Sequence, residues 1–128
     1  MKSKILVIED NADTRRFLQV MLSREFEVSI AENGAQGILL AKSMQPELIV
    51  LDVVMPTLNG YDTCKKLKSD PDTKEIPVIF LSGKNTTAEI TYGLSMGAED
   101  YLPKPFDHKE LLARIKSRLS RAQASPSP

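Results

Sequence analysis

Glu9 and Asp10 stand side by side at the end of the apolar run "KILVIED", and Asp52 ends another, "ELIVLD". A carboxylate delivered by a strand can be structural, can hold a metal ion or can act as a nucleophile. Taken singly, Asp52 would cap a helix or order a loop, yet Met55-Pro56 and Gly60 build a loop after it and not an immediate helix. Glu9-Asp10 alone would be a solvated pair that caps the helix after it. Ser82 closes a third run, "PVIFLS", and brings a hydroxyl; by itself it is a turn residue. Lys104 sits between Pro103 and Pro105, where a positive charge is carried on a backbone with little freedom. These groups are spread over most of the chain, so any shared chemistry depends on the elements that gather them.

Short continuous apolar runs at 4–10, 48–52 and 77–82 end in polar residues, as strands covered on both faces do. "EVSIAEN" (27–33) alternates and "AEDYLPKP" (98–105) is short, which fits strands near a sheet edge. Helical stripes lie between them: Phe17, Leu18, Met21 and Leu22; Ala35, Ile38 and Leu39; Tyr61, Cys64 and Leu67; Ile90 and Leu94; Leu111, Leu112, Ile115 and Leu119. Asn11 or Asp13, Asn33 and Asp107 mark helix starts. Gly93 and Gly97 weaken the fourth helix, and "KSDPDTKEIP" (68–77) reads as a polar loop.

Five strand–helix units predict an α/β domain: a doubly wound, five-stranded parallel sheet with five helices on its two faces. Right-handed crossovers then bring all strand ends to one edge, where such sheets bind ligands. That edge would hold Glu9, Asp10, Asp52, Ser82 and Lys104 together. Three carboxylates repel one another, and a hard divalent cation removes the repulsion. Magnesium suits, because its remaining positions accept phosphate oxygens. With Ser82 and Lys104, the set forms a site for a phosphoryl group attached to, or passing through, Asp52.

At 128 residues the chain is one domain by size, drawn as 1–120 with a Pro/Ser-rich tail or linker at 121–128. Lys+Arg and Asp+Glu balance at 17 each, so no global field draws it to nucleic acid or a membrane. The single cysteine, Cys64, excludes an internal disulfide and reads as a core residue. No stretch approaches the roughly 18 apolar residues of a membrane span, and the start lacks a signal peptide, so a cytoplasmic location is expected. His108 has no acid–base partner in sight and reads as exposed.

"ILVIEDN", "LIVLDVVMPTLNGYD", "PVIFLSGK" and "GAEDYLPKPF", in this order, resemble the signature blocks of the receiver domain of two-component response regulators, chemotaxis-regulator-like. The match spans about 4–120. The resemblance implies a flavodoxin-like fold with strand order 2-1-3-4-5. It implies that Asp52 is the phosphoacceptor, taking its group from a histidine kinase or histidine phosphotransfer protein. Mg2+, with Mn2+ as a substitute, would be held by Asp10, Asp52, the Val54 backbone carbonyl and, through water, Glu9. Ser82, Lys104 and the N–H groups of Val53 and Gly83 would contact the phosphoryl group, and Lys104-Pro105 would be a cis peptide. Ser82 and Tyr101 would form the switch, with Tyr101 swinging inward as Ser82 moves. The face of the fourth helix, fifth strand and fifth helix would control an effector or output domain, with a dimer on phosphorylation allowed. Neither direct nucleic-acid binding nor a membrane contact is implied.

The sequence departs from the family pattern in places. Ser82 stands where threonine is common and Gly83 where alanine is frequent. An apolar Val54 and a cationic Lys84 flank the site and bear on how water reaches an acyl phosphate. The alternative is a magnesium-dependent phosphohydrolase working through an aspartyl phosphate. Such enzymes commonly carry a second acid two residues after the nucleophile, and Val54 cannot transfer a proton.

Overall fold

Alternating apolar and amphipathic segments become five strands and five helices in the computed structural model, which describes residues 2–84 and 86–124. The strands are β1 (Lys4–Ile8), β2 (Glu27–Ala31), β3 (Leu48–Asp52), β4 (Val78–Ser82) and β5 (Asp100–Pro103). The helices are α1 (Ala12–Leu22), α2 (Gly34–Met44), α3 (Gly60–Ser69), α4 (Thr87–Ser95) and α5 (His108–Ala124). One sheet runs β2-β1-β3-β4-β5 with every pair parallel, which is the expected order. No helix among the described residues is long and apolar enough to cross a membrane.

β1, β3 and β4 read as unbroken apolar runs because both of their faces are covered. Alternate residues point to opposite sides of a strand. Leu6, Ile8, Ile49, Leu51, Val78, Phe80 and Tyr101 therefore pack with Ala41 of α2, and with Cys64 and Leu67 of α3. Ile5, Val7, Leu48, Val50, Ile79, Leu81 and Leu102 pack on the other side with Leu18 and Leu22 of α1 and with Leu111, Ile115 and Leu119 of α5.

Asn11, Asn33 and Asn59 cap α1, α2 and α3 by accepting the N–H of Thr14, Gln36 and Asp62. α4 starts on a Thr86 cap: its Oγ1 accepts the Glu89 N–H and donates its own proton to the Glu89 carboxylate at 3.0 Å. That cap anchors the helix that Gly93 weakens. Asp107 takes the Lys109 N–H at 2.8 Å before α5. α5 continues to Ala124, so the first positions of the expected 121–128 tail are helical, while 125–128 lie outside the described residues.

Several expected helix faces turn out differently. Phe17 is 53% exposed and Leu39 70%, and Ala35 and Leu94 are also exposed. The buried positions on α2 and α4 include glycines instead: Gly34 and Gly37 on α2, Gly93 on α4. A Cβ at Gly37 would lie 2.3 Å from Ile8 Cδ1, so close approach of α2 to the sheet sets this face. The stretch expected as a loop at 68–77 starts within α3, whose last residues are Lys68 and Ser69, and the rest is partly internal, because Thr73 is buried and donates its hydroxyl to the Leu67 carbonyl at 2.7 Å.

Gly60 marks the tightest junction near the strand ends. Its N–H donates to the Val53 carbonyl at 2.8 Å, and an added Cβ would fall 2.2 Å from the Asp52 carbonyl oxygen. Backbone cannot yield cheaply there. Gly60→Ala should cost about 1–3 kcal/mol, read as a lower urea midpoint with an unchanged m-value. A midpoint equal to that of the parent would show that α3 can back away from β3.

Candidate functional site

Parallel register decides which side chains meet at the carboxyl edge. Ile8 pairs with Leu51, so Glu9 and Asp52 come one step later on neighbouring strands. Ser82 pairs with Pro103, which places Lys104 just beyond it. The pleat then sorts them. Asp52 continues the row of Leu48 and Val50, Glu9 that of Ile5 and Val7, and Lys104 that of Leu102. Ser82 continues the opposite row of Val78 and Phe80, the side on which Tyr101 packs.

Glu9, Asp10 and Asp52 each bring a carboxylate oxygen within 4.8 Å of the others. Glu9 is 1% exposed and Asp52 6%, whereas Asp10 is exposed at the mouth. Lys104 Nζ lies 3.3 Å from Glu9 Oε1 and 3.6 Å from Asp52 Oδ1. The Lys104–Pro105 peptide is cis. Burial first, then the Asp52 charge and a side-chain hydrogen bond with Asp52, push the Glu9 carboxyl up to about 7. The Asn11 N–H, donated to Glu9 Oε2 at 3.1 Å, and the Lys104 charge act the other way.

This donor set fits a hard divalent cation. Three carboxylates face one ammonium, oxygen donors are what magnesium takes, and Asp10 leaves the mouth open to water. Asp10 and Asp52 are the carboxylates that could hold such an ion directly. Glu9 is already engaged by Lys104 and the Asn11 N–H.

The other expected residues occupy several settings. Ser82 is fully buried, and its Oγ accepts the Lys84 N–H at 3.0 Å, which leaves its own proton out of that bond. Gly83 is exposed, with nothing within 4 Å of where a Cβ would stand. Val53 needs a correction. Its N–H is spent on the Leu81 carbonyl at 3.2 Å, because the β3–β4 ladder runs one residue past the strand. The N–H that faces the carboxylate is that of Val54, 3.4 Å from Asp52 Oδ1, with the Val54 side chain 56% exposed. Lys84 extends its ammonium toward the Glu89 carboxylate, 3.9 Å away. Tyr101 already lies inward, 4% exposed, where an inward swing was expected to follow movement of Ser82, and its hydroxyl donates to the Lys84 carbonyl at 2.7 Å. His108 is exposed beside Asp107, as expected.

Sequence reasoning missed Arg15. Its guanidinium donates to the carbonyls of Glu9 at 3.0 Å and Asp10 at 3.3 Å, and pairs with Glu32 at 3.2 Å. It holds the backbone that presents the acidic pair. A cation in the first turn of a helix opposes the helix dipole, and that oddity was the available signal.

Comparison with known proteins agrees with this geometry. The family model described as the response regulator receiver domain matches residues 5–116. The chain is 35% identical over 128 residues to the DNA-binding response regulator MtrA of Mycolicibacterium paratuberculosis, covering 99% of this chain and 56% of that protein. It therefore spans about half the length of the curated relatives it matches. The receiver domain of Francisella response regulator 1452 superposes with a TM-score of 0.88 at 30% identity, covering 94% of this chain and 98% of that one. The receiver domain of sensor histidine kinase PA1611 from Pseudomonas aeruginosa PAO1, solved with magnesium coordinated in its active site cleft, gives 0.86 at 26%, covering 94% and 99%. A strand-end carboxylate cluster, its lysine and a match over nearly the whole chain lead to one conclusion: the chain belongs to the response regulator receiver domain family.

Proposed function

We propose that Asp52 accepts a phosphoryl group from phosphohistidine on a partner kinase or phosphotransfer protein, and that the added charge switches the domain. The observation that carries this is the Asp52 carboxylate, nearly buried yet set in a carboxylate cluster with an ammonium 3.6 Å away. An Asp52 carboxylate oxygen attacks phosphorus, the bond from phosphorus to the imidazole nitrogen breaks, and the leaving nitrogen takes a proton from solvent. Magnesium held by Asp10, Asp52 and the Val54 carbonyl, with Glu9 acting through water, would neutralise oxygen charge as the group transfers; manganese, with the same liking for oxygen donors, could substitute.

The chain's own groups do the rest. Lys104 leaves Glu9 for a phosphoryl oxygen, and Ser82 turns its free proton to another. The N–H groups of Val54 and Gly83 line the approach. The aspartyl phosphate brings about −1.5 to −2 charge to a rim that already carries three carboxylates. The response passes from Ser82 to Tyr101 and on to the face of α4, β5 and α5, where an effector or a joined output domain reads it. Dimerisation through that face is one form the response could take, with the kinase and effector both met in the cytoplasm. Residues 1–120 act as the receiver unit, and the balanced charge of the whole chain supports control of a partner over direct contact with nucleic acid. The hydrolase alternative gains nothing, since Val54 offers no acid.

Acetyl phosphate with magnesium should add one phosphoryl group to the chain, and Asp52→Asn should abolish the gain in intact mass. Undiminished labelling of Asp52→Asn would overturn the assignment.

Magnesium titration separates the acids. Asp10→Ala should weaken binding far more than Glu9→Ala, because Asp10 is placed as a direct ligand. Equal affinities in both variants and the parent would move the metal elsewhere.

Lys104→Ala should still label at Asp52 but respond incompletely. Moving a population from 1:99 to 99:1 needs roughly 5.5 kcal/mol. One charge-assisted contact supplies about 1.5–3 kcal/mol of it. NMR shifts of the phosphorylated variant should fall between the two parent states, and full coincidence with the phosphorylated parent would remove Lys104 from transmission.

A further inference from the structure

A glycine inside a helix is costly relative to alanine, so the buried Gly93 of α4 needs a reason. A Cβ built there would lie 2.7 Å from both Cδ2 and Cε2 of Tyr101 and 3.2 Å from Cε1 of Tyr61. Real Cβ atoms do not approach that closely. The ring of Tyr101 thus occupies the space that any side chain at this position would claim.

Hydroxyl chemistry ties the ring down. Tyr101 spends its one proton on the Lys84 carbonyl at 2.7 Å. Tyr61 is then the donor available across the 3.3 Å between the two hydroxyls, and the Glu89 carbonyl at 3.5 Å competes for that same single proton. The Tyr61 ring is itself wedged edge-on against Phe80 and Tyr92, with centroids at 5.4 Å and 4.9 Å. Lys84 joins this to the site, because the same residue donates its N–H to Ser82 Oγ at 3.0 Å. Its backbone therefore bonds Ser82 on one side and Tyr101 on the other.

We propose that Gly93 is the seat for the inward ring of Tyr101, and that Tyr61 latches the ring there, so that α3 and α4 set the position of the loop carrying Lys84. The regulatory meaning rests on the reading that Ser82 answers a phosphoryl group at Asp52. Drawing the Ser82 hydroxyl toward that group releases the Lys84 N–H, and the loop shift reaches Tyr101 through the Lys84 carbonyl. Gly93 and Tyr61 are positioning residues: neither touches the carboxylates.

The test uses the unphosphorylated chain. By NMR, Gly93→Ala should abolish the contact of the Tyr101 ring with Tyr61, move the Tyr101 ring signals toward those of an exposed tyrosine and shift the Lys84 amide. Tyr61→Phe, which keeps the ring and removes the proton, should shift the same signals part of the way. In urea, Gly93→Ala should lower the midpoint in the parent but raise it in Tyr101→Ala, where alanine's helix preference is unopposed. If Gly93→Ala alone does not fold, recovery of the fold in the Tyr101→Ala background supports the seat equally. Equal midpoint shifts in both backgrounds overturn the seat. Parent-like Tyr101 signals in Tyr61→Phe overturn the latch, and a parent-like Lys84 amide in Gly93→Ala overturns the coupling. Labelling by acetyl phosphate is read separately: its loss would defeat phosphorylation at Asp52 and leave the seat, the latch and the coupling to be judged by their own signals.

Discussion

Like charges in a place with little water are the constraint around which this domain is built. Glu9 and Asp52 are almost wholly enclosed, Asp10 stands beside them, and Lys104 alone among the cluster's side chains opposes them. Such an arrangement is expensive unless a cation or a proton joins it, which is why burial and the Asp52 charge raise the Glu9 carboxyl. It is also responsive. A charge added at Asp52 must reorganise its partners, because the wall around it cannot dissipate the field as bulk water would.

The sheet makes that constraint sustainable. In a parallel sheet every strand ends at the same edge, so residues far apart in sequence become neighbours without a dedicated binding loop. The pleat adds a division of labour. Glu9, Asp52 and Lys104 follow rows on the α1 and α5 side, while Ser82 follows the row on the side of α3 and α4. The acidic cluster with its lysine and the Ser82 hydroxyl thus leave opposite faces of the same strand ends. Arg15 steadies the first from behind by taking the Glu9 and Asp10 carbonyls.

On the second face the contacts are aromatic and hydroxylic. Phe80, Tyr61 and Tyr101 fill the space under α4, Tyr92 meets the Tyr61 ring from the helix itself, and Gly93 makes the room. α4 has few large apolar anchors of its own: Ile90 packs, whereas Leu94 and Tyr92 are largely exposed. A helix held by a side-chain cap and a ring in a glycine gap is easier to displace than one held by a continuous apolar stripe.

The strand runs, their order of appearance and the set Glu9, Asp10, Asp52, Ser82 and Lys104 were legible in the sequence, because doubly covered strands are continuous apolar runs with polar ends. Asn11 and Asn33 were legible as caps because a short polar side chain before a helix has few other uses. The buried faces of α2 and α4 were not. Glycine contributes nothing to a hydrophobic pattern, and Gly34, Gly37 and Gly93 are internal only because another element comes close. Likewise Phe17 and Leu39 have core chemistry, but among the described residues no element covers them. Which N–H faces Asp52 was a question of ladder length, and the bond from Val53 to Leu81 settled it in favour of Val54. Local pattern alone therefore determined the elements and the chemical groups at their ends. The direction of each group, and the partners Arg15 and Tyr61, were decided by tertiary packing, because they depend on distances between segments that no local pattern encodes.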